Sequence, residues 1–172
     1  MIITVGGLIG SGKTTLAKSL AEELGFKYLS IGSIMRDMAK ERGMSIVDFN
    51  KLAEDNPEID DEIDKRQKLL AKGDCVVDSR LGAFLLKPDL RIWLTAPFED
   101  RAKRVLAREK TSFEEAAEGI KRREESEKNR YQKVYGVNLD DMKVYDLIIN
   151  TKTFDKGAMM SVSLAAAKPL SS

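Results

Sequence analysis

The chain contains no histidine and a single cysteine, Cys75. Without an imidazole there is no Ser-His-Asp or Cys-His nucleophile, no His-ligated zinc and no histidine general base. One cysteine excludes an internal disulfide framework and a cysteine-rich metal site, and it fits a reducing, cytoplasmic setting. Nor is there an excess of one charge: 29 Lys and Arg stand against 28 Asp and Glu, a net charge of +1. Dedicated binders of nucleic acid or of membrane surfaces usually carry a clear basic excess, so neither is expected as a partner. No apolar run approaches the roughly 20 residues that span a bilayer. The opening Met-Ile-Ile-Thr-Val lacks a basic flank and leads into Gly-rich sequence, so it reads as a buried strand and not as a signal peptide. Repeats, low-complexity tracts and Pro/Ser-rich linkers are missing too. The chemistry left to this chain uses charges, hydroxyls, carboxylates and backbone.

What is present is the material of one domain, 1–172. The length suits a single core, and 42% hydrophobic with 33% charged residues allows a buried interior under a polar surface. Short apolar runs at 2–5, 28–31, 75–78, 90–94 and 147–150 read as parallel strands covered on both faces. Helical patterns lie between them. Residues 13–24 carry Leu16, Leu20 and Leu24 at four-residue spacing. Asn56-Pro57 reads as an N-cap followed by Pro at the first helical position, opening a helix to about residue 70. Ser112 and Glu115 form a capping-box pair that opens a long charged helix to about residue 131. This alternation implies right-handed βαβ crossovers, hence an α/β doubly wound sheet with ligands at the carboxyl ends of its strands. Two stretches, about 33–72 and 111–142, exceed a minimal crossover and are places for accessory flaps.

Gly7-Leu8-Ile9-Gly10-Ser11-Gly12-Lys13-Thr14 matches G-x-x-x-x-G-K-[ST] in full, a match expected by chance in about one chain in a hundred of this length. A strand before it and an amphipathic helix after it supply the context that the motif needs. The glycines let backbone N–H groups turn inward around a polyphosphate, and the helix N-terminus adds its positive dipole end. Lys13 is placed to reach β- and γ-phosphates, and Thr14 to offer its hydroxyl to Mg²⁺; Thr15 continues the first turn. The bland alternative is a Gly-rich turn that merely permits close packing.

A P-loop implies a nucleoside triphosphate without naming the reaction. Asn50-Lys51 is followed by Leu52-Ala53 and no Asp has Gly three positions later, so the base-reading and switch motifs of a regulatory GTPase are missing. The chain is small for a motor or ring ATPase. The remaining polar features suggest a kinase of a small phosphorylated acceptor. Arg36 follows the second candidate strand, and Asp78-Ser79-Arg80 ends the third. Arg123, Glu127 and Arg130 share one helical face. Guanidinium groups hold phosphate oxygens bidentately and stay charged, so Lys13, Arg36, Arg80, Arg123 and Arg130 form a candidate phosphate cluster. A solvated surface charge is the alternative for Arg36, a charge without function is the alternative for Arg80, and surface i,i+4 ion pairing is the alternative for the 122–130 region. Asp78 is either a helix N-cap or a Mg²⁺-water ligand. The acids Glu54, Asp55, Glu58, Asp60, Asp61, Glu62 and Asp64 read mainly as a solvated helix face. Cys75 and Trp93 read as core.

The sequence resembles the nucleoside monophosphate kinases, and in particular the short, archaeal-type cytidylate kinases, from residue 1 to about 167. The resemblance rests on Gly6–Thr15, on Ser33-Ile34-Met35-Arg36-Asp37-Met38-Ala39 and on Asn56-Pro57-Glu58-Ile59-Asp60 with Asp64-Lys65-Arg66-Gln67. It continues in Arg123-Glu124-Glu125-Ser126-Glu127, Arg130-Tyr131, Tyr135-Gly136 and Tyr145–Thr151. It implies five parallel strands, a monophosphate-binding flap and a helical lid, which the two long crossovers would supply. It implies transfer of the ATP γ-phosphate to CMP and dCMP by a monomer, with Mg²⁺. Residues 7–15 would bind ATP, with Thr14 and, through water, Asp78 on the metal. Arg36, Arg80, Glu127 and Asp64 would bind the acceptor, and Lys13, Arg123 and Arg130 would act in the transfer. Asp37 and Gln67 are candidates by location, and residues 150–152 are the expected place for adenine. Relatives usually have Gly where this chain has Ser79, and the insertion that helps bacterial forms read cytosine is absent. Other acceptors (UMP, AMP or a dephospho-CoA-like molecule) and a non-kinase ATP-binding accessory protein are the alternatives.

Overall fold

A computed structural model describes residues 1–170, with residues 47 and 55 described by their backbone only. Five strands, β1 (Ile2–Gly7), β2 (Lys27–Ser30), β3 (Cys75–Asp78), β4 (Leu90–Thr95) and β5 (Leu147–Asn150), form one sheet in the order β2-β3-β1-β4-β5. Every neighbouring pair is parallel. Among the described residues the α-helices are α1 (Lys13–Leu24), α2 (Ile31–Glu41), α3 (Ile46–Asp55), α4 (Pro57–Leu70), α5 (Gly82–Leu85), α6 (Phe98–Glu109), α7 (Phe113–Tyr135) and α8 (Lys156–Ala167).

Alternation along the strands divides the core. Ile3, Val5, Val76, Ile92 and Leu94 pack with Leu16 and Leu20 of α1 and Met159 of α8 on one face. Leu29, Cys75 and Val77 pack with Ile34, Met38, Phe49, Ile59 and Ile63 of α2, α3 and α4 on the other. Successive side chains of a strand point to opposite faces, so strands read as unbroken apolar runs when helices cover both. Cys75 and Trp93 are core, 0% and 4% exposed.

The expected flap is the three-helix segment α2–α4, and the expected lid is the single helix α7. Its capping box is present, but it runs a turn further than expected and stops at Gly136 in the left-handed conformation. Ile31 belongs to α2 and not to β2, because the Ser30 hydroxyl accepts from the Ser33 N–H and starts the helix there. Asn56 precedes Pro57 as expected, yet it does not cap α4 with its side chain; its amide donates to the Leu52 carbonyl at 2.7 Å, closing off α3 instead. The acidic stretch is also not a uniformly solvated face: Asp60 and Asp64 are 4% and 6% exposed, turned inward with Ile63 and Gln67. The reason is the neighbour across from them, α7, whose polar side chains give that face something to meet. Asp55 of that stretch has its side chain outside the described residues.

Candidate active site

The register of the sheet builds the floor. Val5 lies opposite Asp78 and Gly7 opposite Leu94, so the loop leaving β1 emerges between the ends of β3 and β4. Two of its glycines are required by close approach. A Cβ on Gly7 would sit 2.4 Å from the Leu94 carbonyl oxygen, and one on Gly10, at φ +79°, would sit 2.7 Å from that of Arg101. Helix α1 then starts from Gly12 without any side-chain cap. Its first N–H groups therefore keep their donor capacity for an anion.

Lys13 folds over its own loop, its Nζ donating to the Gly7 and Leu8 carbonyls at 3.0 Å each. Burial of its ammonium and, next, the positive charge of Arg80 push its pKa down to about 7. Thr14 Oγ1 donates to Asp78 Oδ2 at 2.7 Å, and the Tyr28 hydroxyl donates to the same oxygen at 3.2 Å. Among the described residues no group of three or more His, Cys, Asp or Glu side chains could cage a metal. The Thr14 hydroxyl and the Asp78 carboxylate are nevertheless hard oxygens in contact, the donor set that suits Mg²⁺ arriving on phosphate with most of its water.

A cleft of about 700 Å³ opens above this floor. Ile9, Gly10, Lys13, Thr14, Arg36, Asp64, Asp78, Arg80, Arg123, Glu127 and Arg130 all line it. Gly7, Leu8, Ser11 and Gly12 complete the loop without lining the cleft, and Thr15 follows Thr14 into α1. The five cations singled out from sequence thus reach one space from four segments, but they are held differently. Arg80, its side chain 10% exposed, is paired with Glu127 of α7. Arg130 lies with Nε 3.4 Å from Asp60 Oδ2 of α4 and its guanidinium 5.2 Å from the centre of the Tyr131 ring. Arg123 instead donates to the Gly119 carbonyl and, at 3.4 Å, to Glu109. Arg36 is exposed on α2 and makes no ion pair among the described residues. Burial raises the pKa of Asp60, with Arg130 opposing it, and raises that of Asp64, with a hydrogen bond from Tyr135 opposing it.

Sequence reasoning missed the brace under the loop. Arg101, 7% exposed, donates to the Ala96 and Ile9 carbonyls and to Glu124 Oε1 at 2.8 Å. The same Glu124 oxygen accepts from the Ile9 N–H at 2.9 Å, so α6 and α7 together clamp the loop. Arg104 adds a link from the Gly10 carbonyl to Thr151, which brings 150–152 beside the cradle. The one signal for Arg101 was its position next to Ala102, on the inward side of a charged helix. Tyr28, Asp60, Tyr131 and Tyr135 were also missed as lining residues.

A polyphosphate cradle on a β2-β3-β1-β4-β5 parallel sheet, facing a second wall of cations, defines a P-loop phosphotransferase. The particular family follows from comparison with known proteins: residues 2–153 match the cytidylate kinase-like family, and the chain belongs to it. It is 46% identical over 182 residues to a cytidylate kinase of Methanopyrus kandleri, covering 99% of this chain and 94% of that one. It is 45% identical over 172 residues to one of Methanocaldococcus jannaschii, covering 96% and 97%. Among solved structures, the shikimate kinase of Acinetobacter baumannii in complex with shikimate superposes with a TM-score of 0.62 at 19% identity, covering 99% and 93%. That likeness concerns the fold alone. No helix among the described residues is long and apolar enough to cross a membrane.

Proposed function

We propose that this chain transfers the γ-phosphoryl group of ATP to a phosphate oxygen of CMP, and of dCMP, releasing ADP and the pyrimidine diphosphate. The observation that carries the reading is the convergence of Lys13, Arg36, Arg80, Arg123 and Arg130 on one cleft above the glycine-rich loop. Cations gathered in this way are costly unless anions come between them, and a donor and an acceptor phosphate are such anions.

Lys13 and the N–H groups of residues 7–15 hold the donor, and Arg36 and Arg80 hold the acceptor phosphate. To do so Arg80 gives up or shares Glu127, which then becomes available to a hydroxyl of the acceptor; Asp64 lines the acceptor side. Arg123 and Arg130 of α7 neutralise the moving group as the bond to the β-phosphate oxygen breaks and the bond to the acceptor oxygen forms. Mg²⁺ carried by ATP would be held by Thr14 and, through water, by Asp78, and would supply charge neutralisation to the donor phosphates. Closure of α7 excludes the water that would otherwise hydrolyse ATP. The single cysteine, Cys75, is buried in the core, which fits a cytoplasmic setting.

The test is coupled ADP release with ATP and each of CMP, dCMP, UMP, AMP and GMP. CMP and dCMP should accelerate release strongly and the others much less. Acceleration by none overturns the kinase reading, and best turnover with UMP or AMP overturns its cytidine part.

A further inference from the structure

Helix α4 buries polar groups where an amphipathic helix ordinarily buries apolar ones. Asp64 and Gln67 are three residues apart on its inward face, 6% and 1% exposed, and both line the cleft beside the apolar Ile63. A buried carboxyl or amide is costly unless each of its polar atoms is answered. Gln67 is half answered. Its Oε1 accepts from the Ser79 hydroxyl at 3.2 Å, while its Nε2 is buried with no partner among the described residues. Ser79, itself 4% exposed, anchors the side chain by its carbonyl end and leaves the amide nitrogen as the unanswered one. Asp64 makes no ion pair among the described residues, and Tyr135 lines the same cleft. The neighbouring Asp60 differs, since it faces Arg130.

An acceptor beside a donor, one helical turn apart against an apolar wall, is the complement of a flat ring whose edge carries a donor beside an acceptor. We infer that Asp64 and Gln67 read the edge of the acceptor's base: the Asp64 carboxylate accepts from the 4-amino group of cytosine, and Gln67 Nε2 donates to N3. Ser79 acts as a positioning residue, tethering the end of the Gln67 side chain. The inference rests on the CMP-kinase reading above and adds how the base is chosen. Uracil reverses both positions, with O4 toward the carboxylate and N3–H toward the amide hydrogens. A site built to bond one pattern rejects the other because its buried groups are then opposed as well as unpaired.

The experiment measures kcat/KM for CMP and UMP at saturating ATP in the wild type and in Gln67→Glu, Asp64→Asn and Ser79→Ala. Gln67→Glu and Asp64→Asn should each lower the CMP/UMP ratio by about tenfold to a hundredfold, with most of the loss on CMP. Ser79→Ala should lower the ratio in the same direction by a smaller factor. A second arm needs no variant: a CMP analogue carrying hydrogen in place of the 4-amino group should be used at least about tenfold less efficiently by the wild type. Asp64→Asn should narrow that gap. Variants that slow CMP and UMP equally, or a wild type that uses the analogue as well as CMP, overturn the base-reading assignment while leaving the kinase reading standing. A wild type that phosphorylates no monophosphate overturns the kinase reading and this inference with it.

Discussion

Binding of a triphosphate should carry a proton into the site, and Lys13 is the group that takes it. In the free protein its pKa falls from 10.5 to about 7, with burial the larger cause and Arg80 the second. At 1.36 kcal/mol per unit, that displacement is worth about 5 kcal/mol between the charged and neutral forms. The sign follows from proton counting. The unfolded chain keeps this proton up to about pH 10.5 and the folded free protein only to about pH 7, so between them the unfolded state binds more protons. Stability of the free protein therefore rises with pH across that window, and the burial cost is fully present below it. Phosphate oxygens against the ammonium favour its charged form and return the pKa toward its ordinary value. At about pH 8.5 the free protein holds about 0.03 proton on Lys13 and the complex close to one, so binding takes up about 0.9 proton. Calorimetric titration with Mg²⁺ and a non-hydrolysable ATP analogue, in two buffers of different ionisation enthalpy, reads this number directly. The uptake should vanish near pH 5.5, where Lys13 is charged in both states. It should also vanish in Lys13→Arg, whose guanidinium does not titrate. Uptake below about 0.2 proton at pH 8.5, or undiminished uptake in Lys13→Arg, would refute the reasoning.

The brace under the loop gives a stability prediction. Arg101→Ala strands the Ile9 and Ala96 carbonyls and leaves Glu124 without its cation, a loss of about 3–5 kcal/mol for a broken buried pair. Thermal unfolding should then show a Tm lower by about 6–20 °C, at 2–4 °C per kcal/mol for a chain of this size. Asp78→Asn keeps the shape of the carboxyl but removes the charge beside Thr14. The Mg²⁺ concentration for half-maximal rate should rise about tenfold or more, read from initial rates against free metal. Arg130→Ala should lower kcat by about a hundredfold or more, because its contribution lies in the moving charge; Tm should fall as well, since the buried Asp60 loses its cation. An unaltered kcat would remove Arg130 from the transfer step.

Much of the site was legible because its parts are contiguous. The P-loop carries its own backbone donors, lysine and hydroxyl within eight residues, and the strand before it and the helix after it repeat at their own periods. Asp78 and Arg80 were legible for a different reason: a strand's carboxyl end in a doubly wound sheet points at the ligand side. The face of α4 was not legible. Polar side chains on a helix are ordinarily solvated; here Asp60 and Asp64 turn inward toward Arg130, Tyr131 and Tyr135 across the cleft, and Gln67 toward Ser79. Arg101 was hidden similarly, one charge in a charged helix, singled out only by the carbonyls and the carboxylate it meets.

What the sequence alone determined is the chemistry that contiguous residues can hold: a polyphosphate cradle, a hydroxyl for a metal, five short buried strands, and a chain with no imidazole that must act through fixed positive charge. Its family is written there as well. What only the tertiary structure decided is how those charges face one another. Glu127 meets Arg80 across 47 positions of chain and Thr14 meets Asp78 across 64. The low pKa of Lys13 and the single unanswered end of Gln67 arise from such meetings. Desolvation and pairing depend on which groups the fold brings within a few ångströms, and no local pattern in the chain encodes that.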